Sequence, residues 1–295
     1  MPVASTTTRI TLNNILFTTD FSAASTAALP FARALANWCD AKIFVAHVVP
    51  AEPLLSVPFE AMPQEADPLW RNAEQDLKTW VNDAALGTIP CETLLHRGDL
   101  RTVVTDMIRK NDIDLLVLGT HGRQGLKRLI LGSEAELIYR EARCPVLTVG
   151  PGVAAYSRAD WKIRTILFPT DFSDISLQAL PYALSLAEEN EATLALFHSI
   201  PLVPWQYEHS LAESHRQRLQ ALVPKDAEAW CKPEFVVRFD SPVDATLHLA
   251  EGRKADLIVM GVRHPAAAAV SAHLPGVVAS EIVSLAPCPV LTVRG

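Results

Sequence analysis

The segment Ile15–Ala36, ILFTTDFSAASTAALPFARALA, comes back without a gap as Ile166–Ala187, ILFPTDFSDISLQALPYALSLA, and 14 of the 22 positions are identical. In each copy an apolar run ends in Thr-Asp-Phe-Ser and passes into Ala and Leu at helical spacing, which reads as a strand feeding a helix. The closing segments agree as well: Cys144–Val149, CPVLTV, recurs unchanged as Cys288–Val293. One domain is therefore written twice. Strands are predicted at Asn14–Thr19, Lys42–Val49, Glu92–Arg97, Asp114–Gly119 and Val146–Val149, with helices at Ala23–Trp38, Ala66–Leu86, Arg101–Asn111 and Glu134–Ala142. The second copy gives strands at Arg164–Thr170, Thr193–Ser199, Glu234–Phe239, Asp256–Gly261 and Val290–Val293. Its helices fall at Asp174–Glu189, Glu208–Trp230, Val243–Gly252 and Val277–Ala286. Apolar strands alternating with helices imply a parallel sheet covered on both faces, with right-handed crossovers. The expectation is α/β: two tandem doubly wound, five-stranded domains at residues 1–150 and 161–295, with 151–160 as a Gly- and Pro-interrupted linker. Pro30 and Pro181 fall inside the first helix of each copy, so that helix either tolerates a kink or starts late.

Composition narrows the function. Of 295 residues, 26 are Lys or Arg and 33 Asp or Glu, a net charge of −7. Such acidity argues against broad binding to nucleic acid or anionic membrane, since both need a cationic surplus. No apolar run reaches the roughly 18 residues of a spanning helix, and Met1–Asn14 is polar and Thr-rich, without a signal-peptide core. A cytoplasmic protein is expected. Cys39, Cys91, Cys144, Cys231 and Cys288 are widely spaced, with no CxxC and no metal-binding pattern, and read as small buried residues.

Ligands of open α/β sheets bind beyond the carboxyl ends of the strands, where strand order reverses. Three features of the first copy fall there. The loop after the fourth strand runs from Gly119 through Gly122 to Gly132 and Ser133. It carries Arg123, Lys127 and Arg128 and no carboxylate. Glycines let backbone N–H groups approach an anion, and the following helix N-terminus adds partial positive charge. The plain alternative is a surface loop with turn glycines and a capping Ser133. Thr18-Thr19-Asp20 ends the first strand, and Asp20 suits hydrogen bonds from a ribose or base, a divalent ion beside phosphates or, more simply, a cap on the next helix, alone or with Ser22. His47 and His198 end the second strand of each copy and read as satisfied structural residues, since nothing in the sequence supplies an orienting partner.

The Gly119-x2-Gly122-x9-Gly132-Ser133 spacing, Asp20 and the closing Cys144-Pro-Val-Leu-Thr-Val strand together resemble the universal stress protein family in its tandem two-domain form. The resemblance covers about Asn13 to Arg294. It implies a Rossmann-like, adenine nucleotide alpha-hydrolase-like fold. That family has ATP-binding and non-binding members, distinguished by the glycine-and-serine loop. By that resemblance Thr18, Thr19, Asp20, Val48, Leu118, Gly119, His121, Gly122, Arg123, Gly132, Ser133 and Glu134 form a site for ATP, with or without Mg. No catalytic residue or protein metal site is assigned.

The second copy departs from the pattern. Its loop, Gly261 to Gly276, is longer, and His264 and Val277 replace Gly122 and Ser133. Pro265 and Pro275 remove N–H donors. One competent site, in the first half, is expected, with the second half mainly architectural; the alternative is a smaller ligand lined by Asp171, Arg263 and His264. Among functions, an ATP-binding stress-response or signalling protein leads, ahead of a slow ATP hydrolase and a nucleotide-free interaction module. Hydrolysis is disfavoured because no GxxxxGK[ST] lysine and no second carboxylate accompany Asp20. The Ser-Gly-Gly-x-Asp-Ser loop of ATP pyrophosphatases is absent. The apolar last strands, Val146–Val149 and Val290–Val293, are expected at sheet edges, pairing within the chain as a pseudo-dimer or, further, between chains as a homodimer. Trp70, Trp80 and Trp230 are expected to pack inward. The protein partner of such a module is left unidentified by the sequence.

Overall fold

The computed structural model describes residues 10–51, 67–120, 133–153, 161–202, 204–263 and 275–295, and the side chains of all of these except 133–135 and 275–277. The first half runs β1 (Asn14–Thr18), α1 (Ala23–Cys39), β2 (Lys42–Pro50), α2 (Pro68–Asp83), β3 (Cys91–Gly98), α3 (Leu100–Lys110), β4 (Leu115–Gly119), α4 (Ser133–Glu141) and β5 (Val146–Val149). The second half runs β6 (Thr165–Pro169), α5 (Asp174–Leu177), α6 (Leu180–Glu189), β7 (Thr193–Ile200), α7 (Trp205–Gln220), β8 (Lys232–Phe239), α8 (Pro242–Gly252), β9 (Leu257–Val262), α9 (Pro275–Leu285) and β10 (Val290–Arg294).

The ten strands of the described residues share one sheet in the order β3-β2-β1-β4-β5-β10-β9-β6-β7-β8. Pairing is parallel inside each half and antiparallel only where β5 meets β10. Alternation along the strands builds two cores. Ile15 and Phe17 of β1, with Ile166 and Phe168 of β6, enter one that also takes up α1, α2 and α6. Leu16 and Leu167 enter the other, beneath α3, α4, α8 and α9. Burial on both faces is why the central strands are nearly all apolar.

The β5–β10 register centres on Leu147 opposite Leu291, flanked by Val290–Thr148 and Thr292–Val146. Leu147 and Leu291 occupy the same position of the CPVLTV repeat, so each half meets its own equivalent, as in a two-fold dimer. The expected intrachain pairing is what the structure contains. A polar network crosses the seam beside it. Ser280 of α9 donates its hydroxyl to Glu136 Oε1 at 2.6 Å and accepts from Tyr139 Oη at 2.9 Å and Arg140 at 3.2 Å. Arg140 also pairs with Glu136 at 2.9 Å, and Arg294 donates to the Glu141 carbonyl at 2.9 Å.

Several local expectations need correction. The two repeated prolines behave differently: Pro30 lies within the unbroken α1, whereas the helix expected over Asp174–Glu189 is divided into α5 and α6, with Pro181 in the first turn of α6. A proline is best tolerated there because it lacks only an N–H that has no intrahelical acceptor. The helix expected over Glu208–Trp230 starts at Trp205 and stops at Gln220, ahead of Pro224; a short 3₁₀ turn, Ala227–Ala229, leads into β8. Cys144, Cys231 and Cys288 are buried, but Cys39 is half-buried and Cys91 exposed, because β3 is an outer strand with no neighbour beyond it. Two of the three tryptophans turn inward, Trp80 stacking on Phe17 at 5.4 Å and Trp230 packing on the same core, whereas Trp70 is half-buried beside the Arg97 guanidinium, 5.7 Å from its ring, and joins neither core.

Replacing Ser280 by Ala leaves the Tyr139 hydroxyl and the Glu136–Arg140 pair short of a buried partner. A loss of about 1–3 kcal/mol is expected in urea unfolding, with the chain still eluting at its original size.

Candidate functional site

The site region is where β1 and β4 lie side by side while their connections leave in opposite directions. Thr18 and Thr19 stand at the end of β1, with the Thr19 amide donating to the Ala46 carbonyl at 2.9 Å. The corner that follows is built by side chains. Thr19 Oγ1 accepts from the Phe21 amide at 2.9 Å and meets Ser25 Oγ at 3.0 Å, while Asp20 Oδ1 accepts from the Ser22 amide at 3.1 Å. Ser22, not Asp20, caps α1, taking the Ser25 amide at 3.2 Å. Asp20 therefore shapes the turn before the helix and remains exposed. Phe21 sits at φ 63°, a left-handed conformation uncommon for an aromatic residue, and its counterpart Phe172 at φ 61°.

His47 explains how that corner holds. Its Nδ1 lies 2.8 Å from the Thr19 carbonyl, which can only accept, so Nδ1 carries the proton. Its ring stacks on Phe21 at 4.4 Å. His198 repeats the bond to the Thr170 carbonyl at 2.8 Å. Both histidines are satisfied structural residues, as the sequence suggested.

Val48 of β2 and Leu118 of β4 pack toward the α3–α4 core beneath this edge. Gly119 is needed for a reason the sequence reading missed. A Cβ there would come within 2.2 Å of the Ala24 carbonyl oxygen, and at Gly261 one would come within 2.3 Å of the Ile175 carbonyl oxygen. Both glycines let the strand end press against the first turn of the opposing helix, so Gly119 does not mark a phosphate site by its presence. Ser133 is the first residue of α4. His121, Gly122, Arg123 and Gly132 lie outside the described residues, as do the side chains of Ser133 and Glu134. The structure thus brings Thr18, Thr19, Asp20, Val48, Leu118 and Gly119 to one edge.

Sequence reasoning also missed a pair flanking this edge. Arg97, paired on β3 with Val49, forms a buried ion pair with Asp67, the residue that caps α2 by accepting from the Leu69 amide at 2.9 Å. The Arg97 side-chain bond, aided by that amide, holds the Asp67 carboxyl below its usual range. An Asp before Pro68 and a helical run was the available signal.

The corresponding edge of the second half has different electrostatics. Arg263 lies 3.6 Å from Asp171, the counterpart of Asp20. Burial opposes the Asp171 charge, but the Ser173 hydroxyl and amide, with Ser176 and Arg263, hold its carboxyl below the usual range. A cleft of about 230 Å³ persists, with Asp171, His198, Thr246 and Arg263 in its wall. That is less than the roughly 300–1,000 Å³ of common ligand pockets. Behind it His198 stacks parallel to His215 at 4.8 Å, and the Arg218 guanidinium lies 3.9 Å above Phe172. His264 lies outside the described residues.

The universal stress protein family model matches residues 11–150 and again 162–294. The chain belongs to the universal stress protein family. A universal stress protein of Methanocaldococcus jannaschii is 32% identical over 136 residues, covering 46% of this chain and 80% of that protein. One of Thermus aquaticus is 34% identical over 137 residues, covering 44% of this chain and 98% of that one. The crystal structure of a universal stress protein from Archaeoglobus fulgidus superposes with a TM-score of 0.72 at 19% identity, covering 97% of this chain and 99% of that chain. This chain is thus a tandem universal stress protein, and the family supports a role in stress response. Among the described residues no helix is long and apolar enough to cross a membrane, and no group of three or more His, Cys, Asp or Glu is placed to hold a metal ion.

Two measurements test this geometry. Gly119→Ala and Gly261→Ala each force a backbone collision, so each should lower stability by about 1–3 kcal/mol in thermal or urea unfolding. Burial pushes the His198 imidazole below its ordinary value of 6.5, and His215 and Arg218 push the same way against the Thr170 carbonyl bond and Asp171. The unfolded chain therefore binds a proton that the folded chain refuses, so stability is lost as pH falls below about 6.5. His198→Asn should flatten that part of the stability–pH curve.

Proposed function

We propose that the first half of this universal stress protein binds an adenine nucleotide, ATP with or without Mg, and that the bound nucleotide sets the conformation or partner choice through which the protein acts in stress response. The convergence of Thr18, Thr19, Asp20 and Gly119 at the reversal between β1 and β4 carries the reading. The chain there continues into the Gly119-x2-Gly122-x9-Gly132-Ser133 sequence and the head of α4. In this reading Asp20 faces the ribose, Val48 and Leu118 back the base, and the glycine loop with Ser133 holds the phosphates. His121, Arg123 and Glu134 border that loop. The role is binding rather than turnover, in keeping with a protein that works by recognition. Five cysteines without a disulfide among the described residues are in keeping with a cytoplasmic setting.

The second half supports a smaller ligand or none. Arg263 engages the carboxylate that matches Asp20, and the remaining cleft is small.

Protein purified without added nucleotide, then denatured and chromatographed, should release adenine nucleotide in stoichiometric amount. Gly122→His, which copies the second loop into the first, should abolish that release while far-UV circular dichroism stays unchanged. Unaltered nucleotide content in the variant overturns the placement. Multiple turnovers of radiolabelled ATP would replace binding with hydrolysis as the activity.

A further inference from the structure

Because β5 and β10 run antiparallel, the carboxyl ends of the first half's strands and the amino ends of the second half's strands share one edge of the sheet. On that edge, at the entries to β6, β9 and β10, lies a cleft of about 700 Å³, within the size range of ligand pockets. Its apolar wall includes Phe31, Trp161 and Pro289. Trp161 is held in place on three sides: it meets Phe31 edge-on at 4.8 Å, lies 5.3 Å from Trp38, and donates Nε1–H to the Asp256 carbonyl at 3.3 Å.

The polar wall is cationic in a protein of net charge −7. Lys162, Arg164 and Lys254 all line the cleft and are exposed, and none is paired with a carboxylate among the described residues. The acids nearby are already committed or outnumbered. Asp256 Oδ2 accepts from the Arg164 and Thr165 amides at 2.8 and 3.0 Å, Glu234 pairs with Arg253, and among the described residues Glu251 is left as the further carboxylate in the wall. Lys162, Arg164 and Lys254 give this end of the sheet a local positive potential, and a potential of that sign favours an anion in the cleft.

We propose that this cleft binds an amphipathic organic anion, with its carboxylate, sulfonate or phosphate group among Lys162, Arg164 and Lys254 and its aromatic or acyl body against Trp161 and Pro289. The site is separate from the residues assigned above to nucleotide and stands whether or not ATP binds.

The probe is 8-anilinonaphthalene-1-sulfonate, titrated into the full chain while the indole N–H resonance of Trp161 is followed, assigned through Trp161→Phe. Saturable movement of that resonance is expected. Affinity should fall about tenfold in Lys162→Glu/Arg164→Glu, and more modestly in Lys254→Gln should the double variant fold poorly. Uncharged N-phenyl-1-naphthylamine should bind parent and variants alike. Dye bound with no response from Trp161, or dye affinity indifferent to all three cations, would each overturn the proposal.

Discussion

One antiparallel ladder of three residue pairs, between β5 and β10, holds the molecule together as one sheet. Among the described residues every other strand pairing lies inside a half, and the antiparallel one centred on Leu147 and Leu291 is the strand pairing that joins them. A parallel pairing at that point would have placed the carboxyl ends of both halves' strands on the same side. The antiparallel one places them on opposite sides, so the carboxyl-end cleft of one half adjoins the amino-end surface of the other. Both cores run through the seam without interruption, with Leu147 and Leu291 in one and Val146 and Val290 in the other. Since the halves are covalently joined, their association does not depend on protein concentration.

Covalent linkage also frees the two copies to diverge. Tyr139 of α4 corresponds to Val283 in the second copy, and Glu136 to Ser280, so the hydrogen bonds that cross the seam require one copy of each kind. Two identical halves would place Glu opposite Glu or Ser opposite Ser. The same divergence separates the carboxyl-end corners. His47 meets Phe21 alone, whereas His198 is built into a stack with Phe172, His215 and the Arg218 guanidinium above it. Among the described residues the second corner thus carries the Arg218 guanidinium on its aromatic stack, and Arg263 beside Asp171 adds a further cation at the cleft.

The fold was legible because its signals repeat. Fully buried strands such as Ile15–Phe17 must be apolar on both faces, and a second copy of the pattern removes the ambiguity of any single short run. What depended on tertiary contacts was not legible. Nothing local distinguishes Pro30, absorbed into α1, from Pro181, which follows a break, nor says that β3 is an outer strand and leaves Cys91 exposed. The candidate site was legible as positions more than as roles. Thr18–Asp20 and Gly119 do meet at one edge, yet the demand for glycine at 119 comes from the Ala24 carbonyl across the gap, a constraint that appears only once strand and helix are packed. Asp20 was read as a possible cap, and it is Ser22 that caps, because the left-handed Phe21 turns the chain between them.

With β5 and β10 consumed by each other, the strands left at the margins of the sheet are β3 and β8. Both carry obstacles to further strand addition: Glu92 and Arg97 along β3, and Lys232, Pro233, Glu234 and Arg238 along β8. Charged side chains and a residue without an N–H are poor templates for another chain. The ten-stranded ladder thus ends on two strands whose charges and proline disfavour addition of a further strand.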